Sequence, residues 1–437
     1  MASKQTKMPT HPGARLLAVG GLALTGVKGV LREGARQLAS GQRPTFSSVV
    51  FSGNTGIEMA DQLAKMRGAA MKVGQLLSMD SGDILPPEFS QALARLQQSA
   101  HIMPQRQLEL TLRAAWGDRW RDHFQFFDPI PIAAASIGQV HKATLKSGQT
   151  LAIKVQFPRV KDSIDSDIAN ISGLLKTFGL ADALGNLREL TEDARVQLHQ
   201  EADYRREADW MMRYRAALHD QPQYLVPAVY APLLRDSILP MDFIAGEDLD
   251  HLIKEPQSTR DAVTENLFSL ALKELFDLGF MQTDPNFANY KWVRQTGQIA
   301  LFDFGATRPI EAQTVQAYRA LIQSGLARDT QAVKSALIDM GIFSAQTAER
   351  YAPEISSMIG VTLRHFHQPR INFSDRTFVP ILKSHIQTLA LDRSTWRVPS
   401  SDILYVQRKL SGTALLGVKL KAKLPLRDMV MGKAGLS

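Results

Sequence analysis

MQTDPNFANY, residues 281–290, followed by LFDFG, residues 301–305, is the part of this 437-residue chain whose reading decides its fold. Three polar side chains stand in it at fixed separations: Asp284, Asn289 five residues later, and Asp303 fourteen residues after that. Phosphoryl transfer needs this set of groups: an acid that orients or deprotonates the acceptor, an amide oxygen for a metal, and a second carboxylate joining metal to phosphates. Between the two pieces, Tyr290 to Val293 and Ile299 to Phe302 read as short extended segments on either side of a Gln295-Thr296-Gly297 turn. A hairpin therefore carries the chain from Asn289 to Asp303.

Protein kinases place the Asp and Asn of their catalytic loop at this spacing and follow them with Asp-Phe-Gly. A second kinase-like element lies upstream. Residues 132–157 (IAAASIGQVHKATLKSGQTLAIKVQF) read as two β-strands joined at Ser147-Gly148-Gln149, with Leu151, Ile153 and Val155 alternating. Lys154 then has the position of the strand lysine that pairs with the α- and β-phosphates and with a helix glutamate. Glu207 in EADYRREADW is the candidate partner, and Asp203 lies one turn before it on the same face. Glu201 stands two residues before Asp203, and a regular helix cannot put all three acids on one side. Either the helix starts or bends there, or Glu201 serves something else. Where a phosphate loop would read G-x-G-x-x-G-x-V, the chain has Ala133-Ala134-Ala135-Ser136-Ile137-Gly138-Gln139-Val140. Methyl groups in place of glycines restrict the backbone and alter how the loop covers a nucleotide.

Upstream of the hairpin the pattern is helical. From about Gly56, residues Met59, Leu63, Met66, Ala70, Val73 and Leu77 give one apolar face, and Lys65, Gly68, Lys72, Gln75 and Met79 run beside it. Lys72 and Gln75, in the KVGQ stretch, point the same way about one turn apart. Asp83 to Pro87 breaks that helix, and segments at about 88–99 and 104–116 complete an all-helical region. Residues 41–54 are loop-like. Downstream of the hairpin, 159–219 reads helical, 221–230 and 237–243 read as strands, and helices dominate from Ser258 to a basic C-terminal stretch, KLKAKLPLRDMVMGK.

Composition bounds the rest. The length suggests two to three domains, or one large two-lobed domain with extensions, and 44 % hydrophobic residues supply a substantial core. With no cysteine there are no disulfides, thiolate ligands or cysteine nucleophile. A net charge of +8 favours anionic partners such as nucleotides or acidic lipid. Leu16 to Val27 (LLAVGGLALTGV), after Lys4, Lys7 and Arg15, is too short to span a bilayer and reads as a membrane-surface or docking helix or as an ordinary packed helix, with a signal-peptide core disfavoured because no clear small-x-small cleavage site follows; no transmembrane helix is expected. The ten histidines show no metal-ligand spacing, and the five tryptophans are scattered without a basic-aromatic stripe, which argues against nucleic-acid binding.

Taken together, KVGQ, AAASIGQVHKA, AIKVQFP, EADYRREA, QTDPNFANY and LFDFGATR resemble the UbiB/AarF-type atypical kinase-like family of coenzyme Q (ubiquinone) biosynthesis, in wording nearest the mitochondrial-type branch and its bacterial relatives. The likeness runs over roughly residues 12–430. It implies Lys154 and Glu207 as the lysine–glutamate pair, Asp284 as the catalytic-loop acid, and Asn289 and Asp303 as metal ligands. It implies that Ala133, Ala134, Ala135 and Ser136, with Val140 and Lys154, contact the nucleotide. It implies that Lys72, Gly74 and Gln75 match a Lys-x-Gly-Gln motif that meets Glu201 and Asp203, a Glu-x-Asp motif, over the active site and occludes protein substrates. One departure from ordinary kinases agrees: Gln282-Thr283 replace His-Arg before Asp284.

The expected fold is α+β, a protein-kinase-like two-lobed fold with a helical N-terminal extension packed over the active site and a mostly helical C-terminal lobe. The expected parts are 1–40, a basic and apolar segment; 41–128, the extension; 129–245, the N-lobe with inserted helices; and 246–437, the C-lobe. The expected function is ATP-dependent, with Mg²⁺ or Mn²⁺, in support of ubiquinone biosynthesis at a membrane. Expected partners are anionic lipid, quinone precursors and quinone-biosynthesis proteins, at the cytoplasmic or organellar matrix side. Two alternatives share the same residues: a small-molecule or protein kinase with a specific acceptor, and a nucleotide-binding pseudokinase scaffold.

Overall fold

Leu151, Ile153 and Val155 alternate because they share one face of a strand, and that strand lies inside a five-stranded antiparallel sheet. The computed structural model describes residues 102–177, 187–284, 286–392 and 399–433, together with Lys72. These form two compact units. The first takes the described residues up to Met212 and Pro227–Ile244; the second takes Arg213–Val226 and the described residues from Ala245 onward.

In the first unit, helix α1 (Gln105–Trp116) leads to β1 (Phe124–Phe127), β2 (Ala133–Ala134), β3 (Gly138–Leu145) and β4 (Thr150–Gln156). Helices α2 (Val160–Thr177), α3 (Leu187–Glu201) and α4 (Tyr204–Ala217, of which the residues from Arg213 belong to the second unit) follow, then β5 (Ile238–Asp242). The sheet order is β1-β3-β4-β5, with β2 also on β3. The β3–β4 hairpin pairs Val140 with Lys154 and Thr144 with Thr150, and its turn contains Gly148 at φ 88°, a left-handed conformation that glycine adopts without a Cβ clash. On one face Leu151, Ile153 and Val155 join Leu108, Leu112, Trp120, Phe124 and Leu145 in a buried core. Period-two alternation sends Lys154 and Gln156 to the other face. There Gln156 Nε2 donates to Ala202 O at 3.0 Å, which fixes the α3–α4 joint against β4.

The second unit is mostly helical. A two-residue strand at Tyr224–Leu225 joins β6 (Glu247–Asp248), β8 (Tyr290–Val293) and β9 (Gln298–Leu301) in one sheet, and β7 (Phe280–Gln282) pairs antiparallel with β10 (Thr307–Pro309). Helix α5 (Gln257–Lys273) runs into a π-turn at Glu274–Leu278 that Gly279 closes. After β10 come α6 (Ala312–Leu326), α7 (Thr330–Asp339), α8 (Ala345–Arg350), α9 (Ala352–Phe366), α10 (Val379–Leu391) and α11 (Ser401–Leu420). No described helix is long and apolar enough to cross a membrane.

Several expectations shift. The strand expected over 221–230 contracts to Tyr224–Leu225 and an isolated bridge at Val229, and β1, β7 and β10 had no alternating pattern long enough to announce them. The segment at 16–27, the loop at 41–54, the helix at 88–99, and Gly74 and Gln75 lie outside the described residues.

Candidate active site

The first unit supplies a buried cation and two groups of acids. Lys154 Nζ lies 2.7 Å and 2.9 Å from the two carboxylate oxygens of Glu207, which is fully buried. A hydrogen-bonded pair at this geometry offsets the cost of removing both charges from water, and losing either partner would leave the other stranded. The three acids sit on two helices and their joint: Glu201 ends α3, and Glu207 lies in the first turn of α4. Asp203 precedes α4, and its Oδ1 accepts from Arg206 N at 3.1 Å, an N-cap. The chain breaks where three acids could not share a regular helix.

Glu201 serves a separate contact. Its Oε1 takes Lys72 Nζ at 2.6 Å, and its Oε2 accepts from Ser136 Oγ at 2.6 Å. Lys72 is helical and buried. One carboxylate thus ties the lysine of KVGQ to the alanine-rich turn. In that turn Ala133 and Ala134 pair with Val140 and Gln139, and Ala135 N donates to Gly138 O at 2.9 Å. Ala133 and Ala134 are exposed, Ala135, Ser136 and Val140 half-buried.

In the second unit the loop from Asp284 to Asn289 is held by hydrogen bonds on both sides. Thr283 donates through N and Oγ1 to Ala306 O at 3.3 Å and 2.9 Å, and Gln282 pairs with Thr307. These contacts join the residues before Asp284 to those after Gly305. Phe302 N donates to Asn289 O at 3.1 Å, which sets Asn289 beside the approach to Asp303. Asn289 Nδ2 points to Asp284 Oδ2 at 3.4 Å, which leaves its Oδ1 on the opposite side of the amide. Asp303 Oδ1 accepts from Gly305 N at 3.0 Å. Phe304 is buried against Tyr214, with ring centroids 4.8 Å apart. Asn289 and Asp303 line one small hollow with Gln282, Tyr290 and Glu274.

Asn289 and Asp303 line the same hollow, and an amide oxygen with a carboxylate is a donor set that suits a hard cation. Mg²⁺ takes one or two protein oxygens and completes its octahedron with water and phosphate oxygens. Among the described residues no group of three or more His, Asp or Glu forms an all-protein cage.

Three residues in this unit, Tyr214, Glu274 and Lys409, carried no sequence signal. Tyr214, Glu274, Tyr290 and Lys409 form a buried network below the loop. Burial lowers the Lys409 pKa, but Glu274 and Tyr290 outweigh it and hold it above the usual lysine value. Burial, with Glu274 beside it, pushes the Tyr214 hydroxyl well up. Their separations of 60 residues or more and the absence of a motif kept them out of a linear reading.

The fold and these two sets of residues define a protein of the kinase-like class, with a strand lysine paired to a helix glutamate in one unit and an Asp-Phe-Gly segment in the other. The ABC1 atypical kinase-like domain matches residues 95–337. The Saccharomyces cerevisiae protein named Atypical kinase COQ8, mitochondrial, is 34 % identical over 422 residues, 96 % of this chain and 84 % of that protein. Atypical kinase COQ8B, mitochondrial, of Rattus norvegicus is 31 % identical over 431 residues, 98 % of this chain and 81 % of that protein. Among solved structures, Rv3197 of Mycobacterium tuberculosis, determined with erythromycin, aligns with a TM-score of 0.61 at 22 % identity, over 86 % of this chain and 96 % of that one; that likeness concerns fold. The chain belongs to the ABC1 atypical kinase-like family, with the COQ8/UbiB-type atypical kinases of ubiquinone biosynthesis. Its function is that of an atypical kinase-like, ATP-binding protein with kinase- or ATPase-type activity in that pathway.

Proposed function

We propose that the chain hydrolyses Mg²⁺-ATP in support of ubiquinone synthesis, working peripherally at a membrane on its cytoplasmic or matrix side. The observation that carries this reading is the buried Lys154–Glu207 pair, because a lysine held by two carboxylate bonds is a fixed positive point suited to phosphate oxygens. Asn289 and Asp303 hold Mg²⁺, which neutralises charge on the phosphates when bound. Asp284 orients the attacking water, supported by the Asn289 amide. Ala133 to Ser136 and Val140 pack on the nucleotide. Lys72, Gly74 and Gln75, with Glu201 and Asp203, restrict access for protein substrates, and residues 41–128 act as the extension that carries the first three. The net charge of +8 favours anionic lipid at the working surface, where quinone precursors and quinone-biosynthesis proteins would meet the chain.

Asp303→Asn should abolish metal-dependent ATP binding measured by titration calorimetry. Undiminished binding in that variant would sink the assignment of Asp303. A second reading, transfer to a small acceptor, is favoured by Asp284, a half-buried carboxylate that accepts from the Asn289 amide at 3.4 Å and could take the proton of an acceptor hydroxyl. Labelled ATP with cell extract and quinone precursors separates the two: a labelled acceptor that disappears with Asp284→Asn supports transfer, and labelled phosphate alone supports hydrolysis.

A further inference from the structure

Below the catalytic loop lies a charged cluster that no step of the proposed chemistry uses. Lys409, on α11, is buried with its Nζ 3.2 Å from Glu274 Oε2, 2.8 Å from the Tyr290 hydroxyl and 3.4 Å from Gln282 Oε1. Glu274, in the π-turn after α5, accepts from the Tyr214 hydroxyl at 2.7 Å and from Gln282 N at 3.4 Å. Gln282 and Tyr290 bracket the loop that contains Asp284 and Asn289. The wall of the hollow lined by Asn289 and Asp303 is completed by Glu274, Gln282 and Tyr290 from this cluster.

A buried ion pair is weak evidence for stability, because well-packed apolar residues of the same volume often replace it at no loss. Its fixed geometry is what such replacement cannot reproduce. The π-turn matters in the same way, since an extra residue in the helical turn is frequent at functional sites. Here the π-turn begins with Glu274.

We propose that Lys409, held by Glu274, is a positioning residue that grips both ends of the catalytic loop and thereby sets Asn289 opposite Asp303 for the divalent cation. This rests on the proposed roles of Asn289 and Asp303. A purely structural salt bridge would affect folding and metal binding in step, whereas a positioning clamp separates them.

The test uses the full chain with Mn²⁺ and ADP as probes, reading Mn²⁺ affinity by electron paramagnetic resonance, nucleotide affinity, thermal unfolding, and the split between kcat and KM for ATP. Lys409→Met should weaken Mn²⁺ binding at least about tenfold, the range seen when a group supporting a metal ligand is lost. It should lower kcat with KM for ATP little changed. Glu274→Gln/Lys409→Met removes both charges and should recover the unfolding midpoint without recovering Mn²⁺ affinity. Tyr290→Phe removes one oxygen and no charge; it should fold as the parent does and weaken Mn²⁺ binding by a smaller factor. If Mn²⁺ affinity returns with stability in the double variant, or is unchanged in Tyr290→Phe when the charge variants fail to fold, the cluster is structural. An Asp303→Asn arm separates this from the reading beneath it: persistent Mn²⁺ binding there removes the metal assignment itself, while loss there with parental affinity in Lys409→Met removes only the positioning role.

Discussion

A Cβ at Gly138 would stand 2.5 Å from the Val155 carbonyl oxygen and 2.8 Å from the Tyr204 hydroxyl. Both contacts are closer than real side chains make, and one is to strand backbone that cannot turn away. Gly138→Ala should therefore spread β3 from β4 and cost about 1–3 kcal/mol by overpacking. Urea unfolding measures it, and parental stability would show that the strands yield freely. The same hairpin holds a second residue-scale device. His141 Nδ1 donates to Asp128 O at 2.8 Å, and its Nε2 lies 2.8 Å from the Gln139 amide nitrogen, whose own Oε1 accepts from Met103 N. A carbonyl accepts only and an amide nitrogen donates only, so the ring is neutral with its proton on Nδ1. Burial lowers the His141 pKa below 6.5, against the weaker opposing pull of Asp128. The unfolded chain therefore takes up the proton first, and this contribution is complete above 6.5 and lost as pH falls toward the folded value. Its slope is at most about 1.4 kcal/mol per pH unit. Stability between pH 7.5 and 5.5 should fall less steeply in His141→Gln than in the parent, and equal slopes would remove the effect.

At the scale of elements, the joint between α3 and α4 assigns different work to three neighbouring acids. Asp203 caps α4, the helix that carries Glu207, while Glu201 faces Lys72 and Ser136. Asp203→Ala should cost about 1 kcal/mol through loss of the cap. Asp203→Asn keeps a capping oxygen, so any change it makes in ATP turnover at parental stability would report the charge; unchanged turnover would confine Asp203 to capping. The acids could be read along the chain because they fall within a few residues and their spacing conflicts with a helical period. The β3–β4 hairpin was legible for the same reason: alternation and a turn are local. β7 and β10 are three residues each, too short for a period, and they matter because they lock Thr283 to Ala306. Lys409 was not legible at all. It follows Arg408 in a long helix, where a basic pair reads as solvated surface, and its partner Gln282 is 127 residues away.

For the whole molecule, nucleotide handling and stability are linked, because a ligand that binds the folded chain and not the unfolded one stabilises it by mass action. At a hundred times its dissociation constant, Mg²⁺-ATP adds about 2.7 kcal/mol. In domains of about 200 residues each kcal/mol moves the midpoint about 2–4 °C, which gives an expected rise of roughly 5–10 °C. Two units make a single midpoint an incomplete description, so calorimetry that resolves each transition is the appropriate measurement. The metal-dependent part of the rise should vanish in Asp303→Asn. In Lys154→Met the rise should shrink with Mg²⁺ present or absent, because Glu207 is left buried without its cation and the phosphate contact is lost. The two variants must therefore differ in their response to metal alone. If EDTA abolishes the ATP-induced rise equally in the parent and in Asp303→Asn, Asp303 does not hold the ion; if Lys154→Met retains the full rise, the buried lysine serves the fold and not the phosphates.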